Sequence, residues 1–352
     1  MRSLLTALVA ALVLPSGAFA QTASDGIPDS LRNTVPNVAL CLGTTKGEVH
    51  TSYFNVGLWN YEQRMHGLSI QAIGSSVHAE AGGAMISGIY NMSRGRAYGL
   101  QASTLFNYAS SVSGVQIGVM ANLATAHVRG VQLAGTVNIA GHADGAVQIG
   151  ITNVASDHMR GVQMGVTNYA AGLNGIQAGF VNIAGGESIR GAQVGFINVS
   201  RDTSAVKIGL VNVNPTTRIQ LAAFGGNTTK FNVGVRFLNR RLYTYIGAGF
   251  YYRGLDDKFS GAITYRAGLR FPIGRGLALS GDIGLSHIEN TRRDDMSESQ
   301  RMYAIQPRVS IEYQLRRKLG LFATGGYSMA NYYKGNHKFE NKPIIEAGLL
   351  IF

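Results

Sequence analysis

One sentence recurs from Gly114 to Asn214. It reads GVQIGVMANLA from Gly114, GVQLAGTVNIA from Gly130, GAVQIGITNVA from Gly145, GVQMGVTNYA from Gly161, GIQAGFVNIA from Gly175 and GAQVGFINVS from Gly191. A degenerate copy, AVKIGLVNVN, follows from Ala205. Its Asn marks are Asn91, Asn107, Asn122, Asn138, Asn153, Asn168, Asn182, Asn198 and Asn212, spaced 14 to 16 residues apart. Asn60 lies two periods before Asn91, with a weaker copy between. A fixed period of this kind marks a repeat architecture.

About 15 residues is too short a unit for a helix pair or a propeller blade. Val147, Ile149 and Ile151 alternate with Gln148, Gly150 and Thr152, the period of a strand. The phase breaks at Asn153, which reads as a corner because Asn tolerates left-handed backbone. Strand, corner, short strand and link make one rung of a β-solenoid. Stacking the rungs predicts an Asn ladder through Asn107, Asn122, Asn138, Asn153, Asn168, Asn182 and Asn198. A second row is predicted through Gln101, Gln116, Gln132, Gln148, Gln163, Gln177 and Gln193. At about 4.8 Å per rung, ten or so rungs form a rod of roughly 50 Å. The rival is an antiparallel meander of one strand per repeat, as in a membrane barrel, where short turns alternate with longer loops. The links here are nearly equal in length (GHAD, SDHMR, AGLN), which favours rungs that all run one way.

The N-terminus carries Arg2, an apolar run from Leu4 to Leu14 and an Ala18-Phe19-Ala20 site, the pattern of a secretory signal peptide over residues 1–20. Residues 21–52 read as a polar lead-in and a hairpin, with Val38–Gly43 and Val49–Trp59 flanking Thr44–Glu48. The repeat region is assigned to 53–214 and a second region to 215–352. Cys41 stands alone, which excludes an intramolecular disulfide and cysteine-rich metal sites. Gly is abundant (46) and Pro scarce (7), pointing to turns and bulges in β structure. Charged residues make up only 14%, which suits surfaces facing lipid or stacked in rungs. The net charge of +12 comes with no basic stripe or known module, so it excludes a nucleic-acid partner and favours anionic lipid head groups.

Beyond Pro215 the alternation lengthens. In FSGAITYRAGLRF, Phe259, Ile263, Tyr265, Leu269 and Phe271 share one face and Ser260, Thr264, Arg266 and Arg270 the other. Eight such strands are predicted near 217–226, 230–239, 242–253, 259–271, 276–288, 301–315, 319–332 and 342–352. Tight turns alternate with longer loops, as in outer-membrane barrels. Tyr243, Tyr245, Tyr251, Tyr252, Tyr327, Tyr332 and Tyr333 are expected in aromatic girdles. The polar faces place Arg236, Arg266, Arg270 and Arg308 against Asp282 and Glu312 in a filled lumen. The fold class is therefore all-β: a β-solenoid-like repeat region followed by an eight-stranded antiparallel membrane β-barrel.

The chain ends GLLIF, which resembles the last strand by which outer-membrane β-barrels are recognised for assembly. Glu346 on the face of Phe352 departs from that pattern and belongs near an interface or in the lumen. The repeat sentence resembles a family of exported bacterial surface-repeat proteins built of Gly-x-Gln-x-Gly-x-x-Asn units. That resemblance covers about 99–214 and implies the cell envelope.

For chemistry, Ser286, His287 and Glu289 form the best enzymatic constellation, at a strand end. Adjacent strand residues point to opposite faces, so Ser286 and His287 cannot pair as nucleophile and base. Asp294, Asp295 and Glu298 read as a solvated acidic loop, and His127, His142 and His158 as exposed link residues at one phase. No catalytic, cofactor or metal site is assigned. The sequence points to a nonenzymatic outer-membrane protein, a barrel-anchored rod acting as a binding or structural module. Its partners are outer-membrane lipid and a glycan, peptide or protein on the rod, where the row of Gln and Gly offers a flat contact surface. The alternatives are a single large barrel acting as a pore, and an outer-membrane hydrolase with a rim site.

Overall fold

A computed structural model describes residues 37–41, 51–186, 190–252, 260–290, 301–333 and 339–352. The signal-peptide segment and the loop of Asp294, Asp295 and Glu298 lie outside these residues.

The first half is a parallel coil. Its strands are β1 (Asn37–Cys41), β2 (Thr51–Ser87), β3 (Tyr90–Ser103), β4 (Phe106–Gly118), β5 (Ala121–Ala134), β6 (Val137–Ile149), β7 (Thr152–Ala184), β8 (Ala192–Ser200), β9 (Val206–Ile208) and β10 (Val211–Val213). Each pairs in parallel with the next in the order β1 to β8, with β9 and β10 both on β8. Equivalent repeat positions meet: Asn91 pairs with Asn107, Asn107 with Asn122 and Gln116 with Gln132. Ser75 pairs with Asn91, so the weaker copy is a true rung with Ser in the Asn place. The repeats form a solenoid, not a meander. The expected hairpin is corrected as well: β1 lies parallel to β2, with Asn37 opposite Ser52 and Cys41 opposite Gly57. An added parallel rung continues the stack, whereas a hairpin would reverse it.

The corner chemistry also differs from expectation. Among the described residues only Arg240 and Tyr251 are non-glycines with positive φ, so the repeat Asn residues are not left-handed. They point inward and brace the bend: Asn212 Nδ2 donates to Gly209 O at 2.8 Å, across the Gly-x-x-Asn step. That second glycine is required by space, because a Cβ at Gly179 would lie 2.6 Å from Asn168 Nδ2 and 2.2 Å from Gly165 O.

The second half is a closed antiparallel barrel of β11 (Arg218–Gly226), β12 (Thr229–Asn239), β13 (Leu242–Tyr252), β14 (Ser260–Pro272), β15 (Leu277–Asn290), β16 (Arg301–Arg316), β17 (Leu319–Tyr332) and β18 (Glu340–Ile351). Closure joins β11 to β18, with Leu221 opposite Ile351. The single-large-barrel alternative is thereby excluded. The outer wall is apolar, with Ile263, Ile283, Val309 and Ile345 exposed, and the inner wall is polar. This inversion of the usual soluble pattern is that of a membrane barrel.

Candidate functional site

Two internal polar structures and one junction give the molecule its character. In the rod, each Asn Nδ2 donates to the Oδ1 of the next rung. The bonds run from Asn91 to Asn107 (2.9 Å), Asn122 (2.9 Å), Asn138 (3.0 Å) and Asn153 (2.9 Å). They continue to Asn168 (2.9 Å), Asn182 (2.8 Å), Asn198 (2.9 Å) and Asn212 (2.9 Å). The second amide hydrogen goes to a backbone carbonyl, as from Asn138 Nδ2 to Ile149 O at 2.8 Å, which fixes the orientation of the amide. The Gln row runs the opposite way. Gln116 donates to Gln101 (2.7 Å), and Gln132, Gln148, Gln163, Gln177 and Gln193 each donate to the preceding Gln at 2.8 Å. Both ladders are buried. The expected Gln contact surface is thus corrected: the amides lie inside because only there can they bond along the axis and satisfy each other.

With Gln and Asn inward, alternation sends the branched residues outward. Ile117, Ile149, Met164, Val194 and Ile208 line one outer row. Val119, Ile151, Val166, Phe180 and Phe196 line the next, with the Phe180 and Phe196 rings stacked at 4.7 Å. The third face is polar. His127 and His142 stack at 4.9 Å with rings 23° apart, and His142 pairs in register with His158. Near-parallel stacked rings do not converge on a shared ion. Among the described residues no three His, Cys, Asp or Glu side chains are grouped as a metal site.

The Gln row ends at Lys207, which pairs with Gln193 in register. Its Nζ donates to Ala205 O at 3.3 Å, and Gln193 Oε1 is left without a hydrogen-bond partner. Burial pushes the Lys207 ammonium down from its ordinary pKa, with Asp202 acting in the other direction.

In the barrel the predicted network is present. Arg236 grips Glu312 through both nitrogens, at 2.6 and 3.0 Å, and its Nε donates to Gln220 Oε1 at 2.7 Å. Arg270 Nε adds a third contact to Glu312 at 2.9 Å. Arg308 Nη1 stands 3.9 Å from Asp282 Oδ1, and Tyr243 donates to Asp282 Oδ2 at 2.6 Å. Glu346 is the member left unassigned in sequence: it faces the lumen and takes Arg266 and Arg308, each at 3.4 Å. Arg266 also lies over the rings of Phe224 and Tyr245 at 4.7 and 4.8 Å. Phe352 turns inward and packs against the cluster of Phe224, Tyr245 and Leu350. Tyr243 and Tyr245 are therefore lumen residues, not girdle residues. Free space among these side chains is about 30 Å³, room for roughly one water.

The candidate rim site is dispersed. Ser286 Oγ turns inward to Gln306 Oε1 (2.9 Å) and Thr264 (2.8 Å). His287 Nδ1 lies outside against Tyr333 OH at 3.1 Å, and Glu289 receives Arg301 at 3.0 Å.

The junction was not foreseen. The last rung presents its carbonyls to the outside of the barrel wall. Tyr265 OH donates to Gly209 O (3.0 Å), Thr244 Oγ1 to Leu210 O (3.1 Å) and Asn239 Nδ2 to Asn212 O (2.9 Å). Arg240 Nη2 adds a bond to Thr203 Oγ1 at 2.7 Å. Thr264 and Arg266 face the lumen, so Tyr265 between them faces outward, as does Thr244 between Tyr243 and Tyr245.

Neither a family model nor a curated protein sequence matches this chain. Among solved structures, the N-terminal β-barrel domain of Pseudomonas aeruginosa OprF is similar at 19% identity, over 38% of this chain and 96% of that one, with a TM-score of 0.29. Neisserial surface protein A (NspA) is similar at 15% identity, over 38% and 93%, with a TM-score of 0.25. The Yersinia pestis outer membrane protein Ail is similar at 15% identity, over 38% and 97%, with a TM-score of 0.24.

Proposed function

We propose that this chain is a nonenzymatic structural protein of the outer membrane, in which a filled barrel holds a repeat rod as a module of the cell envelope. One observation carries the reading. The last rung is bonded to the barrel wall through Tyr265, Thr244 and Asn239, so the rod is built onto the barrel instead of hanging from a linker. The plugged lumen supports an anchor over a conducting pore, and the opposite orientations of Ser286 and His287 remove the basis for a rim hydrolase.

The junction lies at the end of the tight turn Asn239–Leu242, and short turns face the periplasm in outer-membrane barrels. We therefore place the rod on the periplasmic side. The resemblance to surface-repeat proteins implies the opposite side. Protease added to intact and then permeabilised cells tests the placement at the polar links around His127, His142 and His158. Cleavage only after permeabilisation supports the periplasmic side; cleavage on intact cells overturns it. The purified protein in planar bilayers is expected to give no conductance steps, and steady unitary conductance would sink the anchor reading.

A further inference from the structure

The rod has the same inverted polarity as the barrel: amides inside, branched and aromatic residues outside. Soluble proteins rarely expose contiguous apolar patches beyond a few hundred Å². Here two adjacent rows of large apolar side chains run the length of the rod, including Ile149, Ile151, Phe180 and Phe196. Resting on the reading of the barrel as a membrane anchor, we infer that the rod lies within the membrane, its two apolar faces in the acyl chains of the periplasmic leaflet and its polar face at that leaflet's head groups.

Four features of the molecule carry this. First, the attachment point is on the lipid-facing wall. Tyr265 and Thr244 project outward from the barrel, and they meet carbonyls of the last rung. Rung carbonyls point along a solenoid axis, and outward side chains point away from a barrel wall. The rod axis therefore leaves the barrel sideways, in the plane of the membrane. Second, the exposed apolar residues reach the last rungs of the rod, at Val206 and Ile208 of β9.

Third, the backbone is compatible with lipid. Hydrocarbon tolerates only structures whose backbone groups bond internally, which excludes open sheet edges. Along the rod each rung pairs with the next, and at its C-terminal end the barrel takes up three carbonyls, Gly209 O, Leu210 O and Asn212 O.

Fourth, the remaining face is the charged one. Exposed Arg129, Arg160 and Arg190 recur every second rung, with Asp144 opposite Arg160 and Asp157 3.6 Å from His142. Cationic side chains so placed meet lipid phosphates while their stems stay over apolar surface. An amphipathic element with this division lies in an interface instead of spanning it.

The chain's only tryptophan, Trp59, is exposed just before Asn60, the repeat position held by Tyr90 and Phe106 in later rungs. It reports the environment of the rod directly. The full-length protein is folded into vesicles of phosphatidylethanolamine and phosphatidylglycerol containing phosphatidylcholine brominated midway along its acyl chains. Trp59 is expected to lose most of its emission to the bromines and little to aqueous acrylamide. In a Trp59→Phe background, Phe180→Trp should behave in the same way, and His158→Trp should respond to acrylamide instead. Ile283→Trp, on the barrel's lipid face, is the control. If Ile283→Trp is quenched by bromolipid while Trp59 and Phe180→Trp respond only to acrylamide, the rod is in water and the inference is overturned, with the barrel reading intact. If Ile283→Trp also escapes the bromines, both fall together.

Discussion

Among the described residues most buried polar side chains are held by a specific neighbour, and the exceptions predict the sign of mutational effects. Glu312 receives Arg236 and Arg270 and is nearly without solvent access. Removing one partner of a buried ion pair costs about 3–5 kcal/mol, because the charges left behind are uncompensated. Glu312→Gln should lower barrel stability by about that much, read as a shift in urea midpoint in detergent micelles. Lys207 is the opposite case. A glutamine amide there would extend the Gln row and satisfy Gln193 Oε1, so Lys207→Gln should stabilise the rod by about 1 kcal/mol. Because folding lowers the Lys207 pKa, its charged form opposes folding at neutral pH, and that penalty fades as pH rises through the folded and then the unfolded pKa. The gain from Lys207→Gln should therefore shrink in alkaline buffer; an unchanged gain would mean that charge plays no part in it. The lumen arginines and Glu312 were legible from alternation alone. Glu346 was legible only as a misfit, because one strand does not say which side of its terminal Phe is lipid.

At the scale of elements, the rung is built by two glycine columns and two amide columns. A Cβ at Gly99 would fall 2.1 Å from Gly83 O, and φ is +108° there. Gly99→Ala and Gly179→Ala should each loosen the rod locally, seen as faster amide exchange over the neighbouring rungs. Gly325→Ala, whose Cβ meets nothing within 4 Å, should change stability by no more than about 0.5 kcal/mol. The strand bounds of the barrel were readable to within about two residues because long period-two runs stand between turn residues. The period of the rod was equally plain. Its inside and outside were not, since alternation tells which residues share a face but carries no sign. In most proteins Val and Ile would mark the core. Here axial bonding of Asn and Gln sets the sign, and that depends on stacking, which no single repeat reveals.

For the molecule as a whole, the barrel closes on its own strands and fills its own lumen, whereas the rod depends on the barrel for its last edge. Residues 215–352 alone should fold and keep heat-dependent migration in detergent gels, while residues 21–214 alone should aggregate. A soluble, monomeric rod fragment would contradict the dependence. The junction escaped sequence reading because Tyr265, Thr244 and Asn239 look like ordinary wall and turn residues until the final rung is set beside them. Their three bonds also favour one order of events. The rod precedes the barrel in the chain and so leaves the ribosome first, yet the finished barrel wall is a ready template for its last rung. Assembly should then run backwards along the chain, from Asn212 toward Tyr53, each rung serving as the mould for the one made before it.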